Sequence, residues 1–153
     1  MNKIESFKVD HIKLETGLYV SRKDVFNGTV ATTFDIRMVK PYKDDVVDIR
    51  AMHTIEHLGA TYFRNSKFKN EDIYFGPMGC QTGFYLVLFG DYKSEDIFDF
   101  VIDMCDYVIN FDGEIPGASK QECGNYLSHD LSEAKIVAKK YKDELTKHRH
   151  FLY

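Results

Sequence analysis

The pair Asn27-Gly28, set between two runs rich in β-branched and aromatic residues, is the strongest local constraint in the chain. A two-residue type I′ turn needs positive φ at both central positions, and Asn followed by Gly meets that at the least steric cost. The pair predicts a hairpin with strands over 18–26 and 29–40, the second ended by Pro41. Within it Thr33, Asp35 and Arg37 alternate with Phe34, Ile36 and Met38. One face is therefore apolar, and Arg37 points away from the main core.

From Asp48 the hydrophobic period lengthens from two to about 3.6. Ile49, Met52, Ile55, Gly59 and Tyr62 recur at helical spacing, predicting a helix over 48–64 with Asp48 as N-cap. Residues 73–75 and 83–90 read as strands joined by a loop, Gly76-Pro77-Met78-Gly79-Cys80. Ser94 caps a second helix with Ile97, Val101, Met104, Cys105 and Val108 on its apolar face. Ser119-Lys120-Gln121-Glu122 has the form of a capping box and predicts a short helix carrying Cys123. A last helix spans 131–146, and the tail after His148 reads as frayed. Strands and helices do not strictly alternate, so the expected fold class is α+β, a mostly antiparallel sheet packed against helices. The 153 residues show no repeat or linker and suit one domain over 1–153.

A net charge of −4 argues against a nucleic-acid surface, which needs a basic stripe. Lysines cluster between Lys135 and Lys147, but acids interleave them, as on a solvated helix face. No apolar run approaches the roughly 20 residues of a membrane span, and Met1 to Ser6 lacks the apolar stretch of a signal peptide. The expected location is cytoplasmic, where three cysteines stay reduced.

Chemistry concentrates in His53-Thr54-Ile55-Glu56-His57. Residues four apart on a helix lie about 40° from each other and one turn higher, so both imidazoles can reach one ion. Glu56 lies beside that face, close enough to move protons without being a ligand. Two surface histidines would give the same spacing, but the H-x-x-E-H order matches the inverted zinc-enzyme motif. A catalytic ion usually takes three protein ligands and keeps one open position. Cys80, flanked by glycines, and Cys123, in Glu122-Cys123-Gly124-Asn125, are the available thiolates, and either can supply the third ligand. Cys105, on an apolar stripe, reads as a buried small hydrophobe. His11 lies near enough to the start to reach a site, His129 reads as a local cap or pair, and His148 and His150 as tail residues.

Taken together these stretches resemble the S-ribosylhomocysteine lyase (LuxS) family. The resemblance rests on Glu5-Ser6-Phe7 with Asp10-His11, Phe34-Asp35-Ile36-Arg37, the histidine motif, Pro77-Met78-Gly79-Cys80-Gln81-Thr82-Gly83-Phe84-Tyr85, and Gln121-Glu122-Cys123-Gly124-Asn125 followed by His129-Asp130-Leu131. It implies a four-stranded antiparallel sheet with helices, in a homodimer with active sites at the interface. It implies cleavage of S-ribosylhomocysteine to homocysteine and 4,5-dihydroxy-2,3-pentanedione, the precursor of a quorum-sensing signal. By the same resemblance His53, His57 and Cys123 hold Fe(II), with Zn(II) or Co(II) as substitutes. Cys80 and Glu56 form the acid/base pair, and Ser6, His11 and Arg37 bind substrate. The chain departs from the usual family pattern at Tyr74 and Gly76, where an acid and a serine are common.

Two rivals make different demands. A zinc hydrolase with the inverted motif would take a distant glutamate as third ligand. A non-catalytic metal or thiol module would close its site with four protein ligands. The lyase reading requires Cys123 beside both imidazoles and one coordination position left open.

Overall fold

The structure is a computed structural model and describes Ile4 and residues 7–153. The hairpin forms as its turn demands, with Asn27 at φ 48° and Gly28 at φ 79°. It joins β1 (Gly17–Phe26) to β2 (Thr29–Arg37). β2 stops at Arg37, three residues short of the expected end, because Met38 and Val39 donate instead to the Thr82 carbonyl at 3.0 and 3.3 Å. α1 follows (Ile49–Arg64), capped by Asp48, whose carboxylate accepts from Arg50 N. Then come β3 (Asp72–Pro77), which takes in two residues expected in the loop, and β4 (Gly83–Phe89).

α2 (Ser94–Asn110) starts one residue before expectation. Lys93 is its N-cap residue, and Asp96 accepts from the Lys93 backbone N–H at 2.7 Å. α3 (Leu131–His148) runs two residues beyond expectation. The sheet order is β1-β2-β4-β3 and every pairing is antiparallel, giving the four-stranded α+β arrangement.

One face of this sheet makes the core. Phe34, Ile36, Phe84, Leu86 and Leu88 pack with Met52, Ile55, Leu58 and Phe63 of α1, Val101 and Met104 of α2, and Ala138 and Tyr141 of α3. Ile49, expected on the buried stripe, is exposed, and Leu58 and Phe63 fill that face instead. Gly59 lets α1 approach the sheet: a Cβ there would stand 2.4 Å from the Phe75 ring. That close approach fixes the height of the histidine-bearing turn above β3.

The opposite sheet face carries Thr33, Asp35, Arg37, Tyr85, Val87 and Phe89. Arg37 points away from the core, as alternation requires, yet is only 3% exposed. The C-terminal tail helps cover this end and is not frayed. His150 O accepts from Leu18 N at 2.9 Å, Tyr153 stacks on Tyr19 at 4.6 Å, and its hydroxyl donates to Asp35 at 3.0 Å. The departures at 74 and 76 are coupled, because a Cβ on Gly76 would stand 2.0 Å from the Tyr74 hydroxyl.

Candidate metal centre

α1 presents His53 and His57 one turn apart, with ring centroids 4.6 Å apart and planes at 88°. Their tautomers are fixed from behind. His53 Nδ1 lies 2.7 Å from the Ser128 carbonyl, and His57 Nδ1 lies 2.8 Å from the Pro116 carbonyl. A carbonyl only accepts, so each Nδ1 carries the hydrogen and each Nε2 keeps its lone pair.

His129 obeys the same logic through Thr54. The Thr54 hydroxyl donates its single hydrogen to Arg50 O at 2.8 Å and accepts from Asp130 N at 3.0 Å. Toward His129 Nδ1, 3.2 Å away, it can therefore only accept. His129 Nε2 thus also keeps a lone pair, and it is buried without a partner. Burial, then the charges His53 and His57 would carry, push this imidazole down to about 4, so it is neutral near pH 7.

Cys123 Sγ stands 3.4 Å from His53 Nε2 and accepts from Asn125 N at 3.4 Å. Donor atoms of His53, His57, Cys123 and His129 all lie within 4.8 Å of one another. Neighbouring donors on one tetrahedral ion, with bonds of about 2.0–2.3 Å, stand about 3.4–3.8 Å apart. The Cys123–His53 separation meets that spacing. Imidazole and thiolate suit Zn, Fe(II) or Co(II) and disfavour Mg or Ca, which prefer oxygen.

Local sequence explains the convergence. Asp130 caps α3 by accepting from Glu133 N at 2.9 Å, while its guanidinium partner Arg50, at 3.8 Å, comes from α1. The segment before α3 is therefore hung on α1. Cys123 rides on turns, not on the expected short helix. Ser119 O accepts from Cys123 N and Glu122 N, while the Ser119 hydroxyl is drawn to the Glu122 carboxylate at 2.6 Å instead of capping backbone. Gly117, at φ 71°, carries the chain past His57, where a Cβ would stand 3.3 Å from Nδ1.

Of the other expected site residues, Glu56 is half-buried on α1 and Ser6 lies outside the described residues. Neither Glu56 nor Cys80 belongs to the donor group. Cys80, exposed on the turn after β3, lies with its Sγ 3.1 Å from Thr82 Oγ1. Arg37 donates to Thr82 and to Asp35 and has an unpartnered buried Nε–H. Burial raises the Asp35 carboxyl above the ordinary range, with Arg37 opposing the shift. His11 directs Nδ1 to Val9 O at 2.9 Å, which leaves its Nε2 as an acceptor. Cys105 is fully buried, and that burial pushes its thiol up to about 12, as befits an inert core residue. Sequence spacing assigned His129 only a local role. The signal for more is faint: a histidine six residues after Cys123, directly before the α3 cap.

Fold and centre together describe an α+β protein with a candidate ion-binding group, which combines a helix-borne histidine pair with a loop thiolate and His129. The model of the S-ribosylhomocysteinase (LuxS) family matches residues 4–151. The chain is 55% identical over 141 residues to the S-ribosylhomocysteine lyase of Finegoldia magna, covering 92% of this chain and 90% of that protein. It is 52% identical over 142 residues to the enzyme of that name from Borreliella burgdorferi strain ZS7, with the same coverage. Against that of Clostridium beijerinckii it is 49% identical over 146 residues, covering 95% and 92%. The chain belongs to the S-ribosylhomocysteinase (LuxS) family.

Proposed function

We propose that this chain is a carbon–sulfur lyase that cleaves S-ribosylhomocysteine to homocysteine and 4,5-dihydroxy-2,3-pentanedione, an autoinducer precursor. The observation that carries the reading is the set of Nε2 lone pairs, each fixed by an Nδ1 tether, converging with the Cys123 sulfur in a member of this family. An unactivated thioether breaks by β-elimination only when a carbonyl sits next to the carbon that loses its proton. The sugar carbonyl starts elsewhere, so aldose–ketose isomerisation must first move it along the chain.

His53, His57 and Cys123 would hold the ion, Fe(II) with Zn(II) or Co(II) as substitutes. When bound, it supplies charge stabilisation for sugar oxygens. Three residues act as ligands, and His129 remains a neutral acceptor beside them, its Nε2 buried without a protein partner. Cys80 takes and returns carbon-bound protons, and Glu56 serves the hydroxyls and the final elimination. His11, whose Nδ1 tether leaves Nε2 as an acceptor, binds a sugar hydroxyl, and Ser6 and Arg37 help to bind and orient the substrate. Metal-loaded protein given S-ribosylhomocysteine should release free homocysteine thiol, read with a chromogenic thiol reagent. A metal-replete preparation that releases none refutes the assignment.

The helix-free sheet face supports a homodimer. Tyr74 on β3 and Phe89 on β4 are 49% and 48% exposed, and Val87, two residues before Phe89 on β4, pairs with Tyr74. We read this face as the interface, with the active sites beside it. Sedimentation should give twice the chain mass, and Val87→Arg should lower that to one. A wild-type monomer at micromolar concentration contradicts the proposal. No described helix is long and apolar enough to cross a membrane. A cytoplasmic site of action is the reading that keeps a ligand thiolate reduced, and the net charge of −4 leaves nucleic acid out of the partner set.

A further inference from the structure

The Cys80 turn contains a hydrogen-bond chain whose direction can be read. Arg37 Nη1 contacts Thr82 Oγ1, and a guanidinium only donates, so the Thr82 oxygen is the acceptor of that bond. The one hydroxyl hydrogen of Thr82 is then free for another partner, and Cys80 Sγ lies 3.1 Å from the same oxygen. Behind Arg37 the chain continues through Asp35, which receives both the guanidinium and the Tyr153 hydroxyl.

The backbone is built to hold this arrangement. Gln81, between the two residues, sits at φ 61°, a left-handed conformation uncommon for a residue with a side chain. Gln81 N donates to Met78 O at 2.9 Å, and Gln81 O accepts from Val47 N at 2.9 Å. The Thr82 carbonyl takes two further backbone bonds from Met38 and Val39. Thr82 is 6% exposed, whereas Cys80 is open to solvent. A buried, clamped hydroxyl thus stands between a buried cation and an accessible sulfur.

We infer that Thr82 is a positioning residue for the proton-transfer step: it donates its hydroxyl hydrogen to Cys80 Sγ and so relays the Arg37 charge to the sulfur. An anionic sulfur accepts such a bond far better than a neutral thiol, so the relay favours the form that can take a proton from carbon. The charged and titratable groups coupled to this sulfur are Arg37 on β2 and Tyr85 on β4, with Asp35 and Tyr153 acting on Arg37 from behind. Thr82→Val removes the hydroxyl at nearly constant shape, and Thr82→Ser keeps it.

The inference rests on the reading of Cys80 as the proton-transfer group, but its test measures the sulfur directly. The rate of iodoacetamide alkylation at Cys80 is followed against pH in metal-loaded wild type, Thr82→Val and Thr82→Ser, with Cys80→Ala giving the background from other thiols. Loss of a hydrogen bond to a charged group should move the Thr82→Val midpoint upward by about one pH unit, roughly a tenfold loss of reactive sulfur below it. Thr82→Ser should overlay the wild type, and kcat of Thr82→Val should fall with KM nearly unchanged. Should Thr82→Val fail to fold, Thr82→Ala against Thr82→Ser gives the same comparison. Superimposed profiles for the hydroxyl-bearing and hydroxyl-free variants overturn the relay. Lyase activity surviving in Cys80→Ala would instead sink the proton-transfer reading and leave the alkylation result standing.

Discussion

His57→Ala and Cys123→Ala should each weaken metal binding by more than about a hundredfold and leave no measurable lyase turnover. Loss of an outer-shell partner alone typically costs 10–100-fold in affinity, and removal of a ligand deletes a bond to the ion itself. His57 is held at its Nδ1 by the Pro116 carbonyl, so its Nε2 is aimed at the centre before the ion arrives. Cys123 contributes the only sulfur of the donor group, and with it the preference for Fe(II) or Zn(II) over Mg(II). Competition with a chromophoric chelator reads the affinity, and elemental analysis reads the occupancy. The outcome that defeats the three-ligand reading is stoichiometric metal in either variant at unchanged affinity. His129→Ala separates the fourth member of the group from the other three residues, since it should retain the ion at near-wild-type occupancy.

Cys80→Ala should behave in the opposite way, keeping its metal while kcat falls by about 10²–10⁴-fold, the usual contribution of a positioned acid or base. Cys80 lies outside the donor group, on a turn tied to Arg37 through Thr82, so its removal leaves the ion's surroundings intact. The same variant divides the lyase from a hydrolase of the inverted-motif type. A hydrolase relying on Glu56 and water has no use for this sulfur and would keep its rate. Thiol release and metal content measured on one preparation decide between them, and undiminished turnover in Cys80→Ala ends the lyase mechanism given above.

Much of this architecture is legible in local sequence, where the physical cause is itself local. The Asn27-Gly28 turn, the Asp48 cap and the one-turn spacing of His53 and His57 each depend on residues within a few positions. What escaped local reading depends on distant partners. β2 ends early because the Thr82 carbonyl captures the next two amides, and nothing near residue 38 signals that. Ser119 and Glu122 have the letters of a capping box, but their side chains bond to each other and the segment stays in turns. The tail after His148 is short and polar at its start, yet Tyr153 finds a stacking face and an acceptor 118 positions away. His129 reaches the centre only because α3 docks on α1, a packing event that spacing along the chain does not encode.

The Thr54 hydroxyl joins three parts of the molecule: the α1 backbone through Arg50 O, the entry to α3 through Asp130 N, and the ring of His129. An ion gripped by α1 and the 123 turn, as proposed above, would add a second rivet between segments distant in the chain. Any ligand that binds only the folded form adds its binding free energy to the fold, about 2.7 kcal/mol at a free concentration one hundred times Kd. Starvation for the ion would then cost the cell more than turnover: the empty chain would loosen first at the 123 turn, which the Thr54 contacts do not hold, and quality-control proteases would meet it there.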